Sequence, residues 1–74
     1  MKREMVLTNK LKEARKQKRM SQEELAKAVG VARNTITSIE RGEYSPSAYL
    51  AWLLCKALEW KFEDLFDMEF KDSK

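Results

Sequence analysis

Histidine is absent from these 74 residues, cysteine and proline each occur once, and glycine occurs twice. Each shortage removes a class of function. Without histidine and with the single thiol of Cys55, the chain lacks the ligand set of a zinc site and any pairing of a nucleophile with an imidazole base. One thiol also excludes an internal disulfide, so the expected compartment is a reduced cytoplasm. Two separated glycines cannot build a glycine-rich phosphate loop. No apolar run approaches the length of a signal-peptide core or a membrane span. Adjacent carboxylates such as Glu63 and Asp64 point in different directions on a helix and stay solvated. The sequence therefore predicts no enzyme, no metal, no cofactor, no membrane partner and no evident small-molecule effector.

What the chain holds in quantity is charge, at 36% of residues with a net +3. Its distribution says more than its sum. Residues 1–20 carry eight basic against two acidic side chains, a net +6, whereas residues 59–74 carry three against six, a net −3. A basic end suits phosphates and an acidic end avoids them. Seventy-four residues allow one domain, taken as 1–74, and so short a chain buries only about 60% of its unfolded surface. A second copy would help to stabilise it.

The most ordered pattern lies between Ser21 and Arg41, SQEELAKAVGVARNTITSIER. Ser21 with Glu24 three residues later reads as a capping box, which starts a helix at Gln22. Leu25, Ala26 and Val29 give that helix one apolar stripe. Gly30 stops it, because glycine accepts the left-handed conformation a sharp turn needs. A second helix then covers about residues 33–41, with Ile36 and Ile39 inward and Thr35 and Glu40 on the flanks. Asn34, Thr37, Ser38 and Arg41 point outward, with Arg33 at the start. A solvated face usually alternates Glu and Lys; this one carries Arg, Asn, Thr and Ser, whose donors and acceptors match base edges. We therefore expect Arg33, Asn34, Thr37 and Ser38 to read bases, with Gln22 and Arg41 fixing register on phosphates.

The run SQEELAKAVGVARNTITSIERG, followed by Pro46–Ser47 and later by KAL and EDLF, resembles the Cro and phage-repressor type of helix-turn-helix domain, also called the xenobiotic-response-element family. The likeness spans roughly residues 11–66. It implies an all-α, compact five-helix, lambda-repressor-like fold whose second motif helix enters the major groove of double-stranded DNA, as a homodimer on a two-fold operator. It also implies an internal ion pair between Arg15 and Glu40, and a phosphate lying against Tyr44 and Ser45. The function expected is a sequence-specific transcriptional regulator, a repressor. The alternative is a protein-interaction module, adaptor or antitoxin that retains the fold.

Outside the motif, residues 1–7 read either as a frayed start or as a short strand pairing with Asp67–Phe70, three residues a side. Thr8 is expected to cap a first helix over residues 9–18, and Met20 to act as a hydrophobic staple. Pro46 and Ser47 order a loop and cap a helix over residues 48–58. That helix is apolar nearly all round, with a principal stripe of Ala48, Ala51, Trp52, Cys55 and Leu58. The surplus makes Leu50, Leu53, Leu54 and Trp60 candidate dimer contacts. A last helix is placed at about residues 62–66, within an aromatic cluster of Trp60, Phe62, Leu65, Phe66 and Phe70. Three positions depart from the family pattern: Ala32 for a capping Ser or Thr, Glu59 for Gly, and Lys61 for a capping Ser.

Overall fold

The computed structural model describes the backbone of residues 2–73 and the side chains of residues 5–70. Its elements, in chain order, are β1 (Lys2–Asn9), α1 (Leu11–Gln17), α2 (Gln22–Val29), α3 (Arg33–Glu40), α4 (Ala48–Leu58), α5 (Phe62–Leu65) and β2 (Phe66–Ser73). The central pair forms for local reasons. Glu24 N–H donates to Ser21 Oγ at 3.0 Å and Ser21 N–H donates to the Glu24 carboxylate at 2.8 Å, closing the capping box. Gly30 then adopts φ 76°, and Val31 N–H reaches back to Ala26 O at 3.0 Å. This is the Schellman arrangement, and it frees the chain to begin α3 after two more residues. Ala32 offers α3 no side-chain cap, and Arg41 closes it as the C-cap.

Five helices are present, but the fold is not all-α. β1 and β2 pair antiparallel over eight positions, from Lys2 with Ser73 to Asn9 with Phe66, rather than over three. Charged residues hid this length in the sequence. The register sets Arg3 opposite Asp72 and Glu4 opposite Lys71. Met1 lies outside the described residues. The ribbon also moves the start of α1. Thr8 is a strand residue whose hydroxyl donates to Asp67 O at 3.3 Å, not a cap. The N-cap is Lys10, without a side-chain cap bond, and Asn9 before it holds the junction: its Oδ1 accepts from Leu11 N–H at 3.0 Å while its Nδ2 donates to Ile39 O at 2.9 Å. One side chain thus ties the end of β1 to the start of α1 and the last turn of α3.

Leu11, Ala14, Leu25, Ala26, Val29, Ile36, Ile39, Leu50, Ala51, Leu54, Leu58, Leu65 and Phe66 form one buried cluster. α4 enters it on a face turned from the one expected, keeping Ala51 and Leu58 of that stripe in the core. Leu50, Leu54 and Leu58, four residues apart, face inward with Ala51, while Ala48 and Trp52 are exposed. Each buried leucine contributes about 1.5–3 kcal/mol, so three in register outweigh a stripe built on alanines. Two candidate dimer contacts are corrected by this rotation: Leu50 is 7% exposed and Leu54 0%. They are core. Leu53 and Trp60 are half-buried against the same cluster. The aromatic group is likewise divided, since Leu65 and Phe66 are buried whereas Phe62 and Phe70 are 54% and 59% exposed. Phe66 opens β2 and is no longer helical.

Glu59, at the position where the family pattern implied glycine, holds φ 59°, and its carboxylate pairs with Lys18. The hydrogen bond from Lys18, then its charge, lowers the Glu59 carboxyl from its ordinary value. The pair is therefore present above the ordinary carboxylate range and is lost as pH falls through the folded value.

Arg15 joins α1 to α3. Its Nε donates to Glu40 Oε2 at 2.7 Å, its Nη2 to Glu40 Oε1 at 3.3 Å and its Nη1 to Met20 O at 2.8 Å. The two side chains are 10% and 5% exposed, so removing one strands the other away from water. Arg15→Met should cost roughly 3–5 kcal/mol in chemical denaturation, and adding Glu40→Leu should recover most of it. Equal losses from the single and the double variant would show that the pair itself, rather than the stranded charge, carries the energy.

Candidate nucleic-acid interface

α2 presents Leu25, Ala26 and Val29 to the core and α3 presents Ile36 and Ile39, both fully buried. The opposite side of α3 is thereby fixed outward. Arg33, Asn34 and Arg41 are exposed there, and Thr37 and Ser38 are half-buried on its slopes. Beside this ridge lies a polar depression of about 520 Å³ lined by Lys12, Gln22, Arg33, Asn34, Thr37, Glu40 and Arg41. On the other slope, Asn34, Thr35, Ser38 and Tyr44 line a second depression of about 260 Å³. Three of the four expected base readers thus share the first depression, and Asn34 borders both. Ser45 is exposed in the loop after α3 and lines neither.

Gln22 is bound inside the molecule as well as facing this depression. Its Nε2 donates to Glu40 Oε1 at 3.1 Å, and its Oε1 accepts from Thr37 Oγ1 at 3.2 Å and from Arg33 Nε at 3.4 Å. Thr37 Oγ1 also lies 3.2 Å from Arg33 O. Because Arg15 neutralises Glu40 within the core, the depression keeps the positive sign of Lys12, Arg33 and Arg41. The acidic end is elsewhere. Glu63, Asp64, Asp67 and Glu69 border a depression with Thr8, Asn9, Lys10 and Trp60 that includes no residue of the ridge.

Lys12 is the residue that sequence reasoning passed over. The signal was indirect: Lys12 precedes Arg15 by one helical turn, so a pair between Arg15 and Glu40 brings it beside Arg41. Nothing comparable arises for nucleophilic chemistry. Burial, then the charge of Glu63, raises the Cys55 thiol from its ordinary value, which keeps it protonated at neutral pH. Among the described residues no group of His, Cys, Asp or Glu is placed to hold a metal, and no helix is long and apolar enough to cross a membrane.

α4 and α5 carry a second surface of different character. Ala48, Trp52, Cys55, Trp60 and Phe62, with Lys56, Glu59 and Lys61, line an open groove of about 720 Å³. Trp52 is 59% exposed and Phe62 54%, and the Lys56 ammonium lies 5.2 Å from the centre of the Trp52 ring.

Comparison with known proteins agrees with this fold. Residues 11–65 match the family model described as helix-turn-helix. The chain is 48% identical over 63 residues to the uncharacterized HTH-type transcriptional regulator YgzD of Bacillus subtilis, covering 85% of this chain and 96% of that one. It is 46% identical over 37 residues to the ImmF control region 10 kDa protein of Bacillus phage phi105, covering 50% of this chain and 41% of the phage protein. Among solved structures, the restriction-modification controller protein C.AhdI of Aeromonas hydrophila superposes with a TM-score of 0.69 at 33% identity, over 73% of this chain and 82% of that one. The transcriptional regulator VanUg, at 22% identity, shares the fold, with a TM-score of 0.74 over 90% of this chain and 89% of its own.

The position of Lys12 generates a test on duplex DNA. Lys12→Ala should reduce the salt dependence of binding by about one phosphate contact, a change of about 0.9 in the slope of log K against log salt, and leave the preferred sequence unchanged. An unaltered slope would place Lys12 away from the backbone.

Proposed function

The chain belongs to the helix-turn-helix family, as a transcriptional regulator of the Cro and phage-repressor type with a DNA-binding fold, and from that premise we propose that it is a repressor that reads operator DNA as a homodimer. The observation that carries this reading is the polar ridge of α3. It combines Arg33 and Asn34, exposed and flanked by Thr37 and Ser38, with cations on one slope and no unpaired carboxylate among them. Arg33 is suited to guanine O6 and N7, and Asn34 to adenine N6 and N7. Lys12, Gln22 and Arg41 on one slope, with Tyr44 on the other and Ser45 in the loop beside it, would hold phosphates and so fix register. Repression needs no further surface, because a dimer seated in the groove already excludes other proteins from its site.

The homodimer is supported by the groove on α4 and α5, which takes the place of the Leu50 and Leu54 contacts. Its centre is aromatic, and its walls carry Lys56 and Lys61 as well as Glu59. A two-fold interface requires a patch complementary to itself, and charges of both signs around an apolar centre satisfy that requirement. The same groove favours the second reading, in which it holds a different protein.

Selection from a random duplex library at about 150 mM salt, where phosphate contacts alone bind weakly, tests the proposal. It should return a two-fold site with half-sites about one helical turn apart, and repression should follow when that site overlaps a promoter. No enriched sequence would move the assignment to the protein-interaction reading. Phe62→Glu should leave the fold intact, give a monomer in sedimentation and abolish tight binding to the paired site. A variant that still sediments as a dimer would place the interface elsewhere.

A further inference from the structure

We propose that one face of the β1–β2 ribbon docks against the same face of a second copy, and that this contact, separate from the α4–α5 groove, joins one operator-bound dimer to the next. Residues directly opposite one another in an antiparallel pair share a face, and each strand alternates between its two faces. The register sets Met5 opposite Phe70, Leu7 opposite Met68 and Asn9 opposite Phe66, so these six share one face. Val6, Thr8, Asp67 and Glu69 fall on the other. At the base of the first face Phe66 is 3% exposed and Leu7 packs on the core; farther along, Met68, Met5 and Phe70 are 45%, 53% and 59% exposed. The apolar face thus begins in the core and runs out into solvent.

The chemistry of the two faces selects the occupant. Among the described side chains the first face carries no charge, and its polar group, the Asn9 amide, is engaged by Leu11 N–H and Ile39 O. Such a face offers an acidic or basic partner nothing to recognise. It complements another uncharged sheet face, and a second copy supplies one. Thioethers adapt to the surface they meet and pack well against an aromatic edge, which suits a two-fold contact built from Met and Phe. Asp67 and Glu69 keep the opposite faces apart, since two copies meeting there would oppose carboxylates. Packing about 10 Å apart turns two marginal two-stranded ribbons into one four-stranded sandwich. No described ribbon residue lines the groove or either depression beside α3, so the three surfaces can be occupied together. Three exposed side chains fall short of the roughly 1,200 Å² that a stable free complex buries. The contact therefore forms where copies are already held close, at the effective concentration of about 1 mM that sharing one duplex provides. Its role on DNA rests on the operator-bound homodimer proposed above; the contact itself does not.

Two measurements test it. In wild-type protein labelled at the methionine methyls, the Met5 and Met68 signals should move as protein is raised from about 10 µM to about 1 mM, while Met20, packed against the core, stays fixed. Met68→Glu should hold the Met5 signal still, and Met68→Leu, close in volume, should leave it moving. Wild-type Met5 and Met68 signals that ignore concentration would overturn the contact, whether or not either variant folds. On a duplex carrying two selected sites a whole number of helical turns apart, the second wild-type dimer should bind about tenfold tighter than the first, and Met68→Glu should abolish that ratio. Equal affinity at the two sites, with the methyls moving, would overturn the link between dimers. A wild-type protein that prefers no duplex sequence would overturn the operator reading instead, and the methyl titration would still decide the contact.

Discussion

The bidentate pair between Arg15 and Glu40 is the constraint on which the rest of the molecule depends. It is the place where charge is carried into the core, and it fixes three things at once. The guanidinium holds α1 against α3 and, through Met20 O, the chain entering α2. Glu40 in turn orients Gln22, and Gln22 touches the outer side of α3. A hydrophobic contact in the same position would hold the helices as well, and by general experience of buried pairs as stably. It would not fix the direction of an amide.

How much of this was legible in the sequence depends on whether a local rule governed each element. α2 and the turn into α3 were legible because Ser21, Glu24 and Gly30 act on their own neighbours, and their geometry follows from a few residues. The inward side of α3 was legible for the same reason, since two isoleucines in a polar helix leave one choice. α4 was not. A helix apolar nearly all round has no periodicity to read, so the choice between the leucine face and the face of Trp52 fell to the shape of the cavity. The ribbon was half legible: Met5, Val6 and Leu7 suggested a strand, but its length rests on pairing between chain ends, which local propensity does not record. Thr8 as a cap failed with it, since its hydroxyl is turned to Asp67 O across the ribbon and α1 begins three residues later.

The candidate site shows the same division. Arg33, Asn34, Thr37 and Ser38 were named from the helical period, and all four border the two depressions beside α3. Their bonding was not readable. That Thr37 turns its proton inward, and that Gln22 serves three partners, depends on the angle between α2 and α3, set by the core. Lys12 was hidden because its role lies on an element outside the motif, and only the cross-helix pair shows which turn of α1 approaches α3.

The same core links the two surfaces that a dimeric reader needs. Ile36 and Ile39 carry the ridge on their outer side, while Leu50, Leu54 and Leu58 carry the groove of Trp52 and Phe62 on theirs. All five side chains belong to one buried cluster. Well-packed interiors deform little, so the angle between reading helix and dimer surface is set by side-chain volume in this layer. In the proposed homodimer, spacing between half-sites would then be a property of core packing: two copies joined through the groove would present their ridges at one separation only. Substitutions at Ile36 or Leu54 should therefore act on which spacing is bound, even though neither side chain reaches DNA or the partner copy.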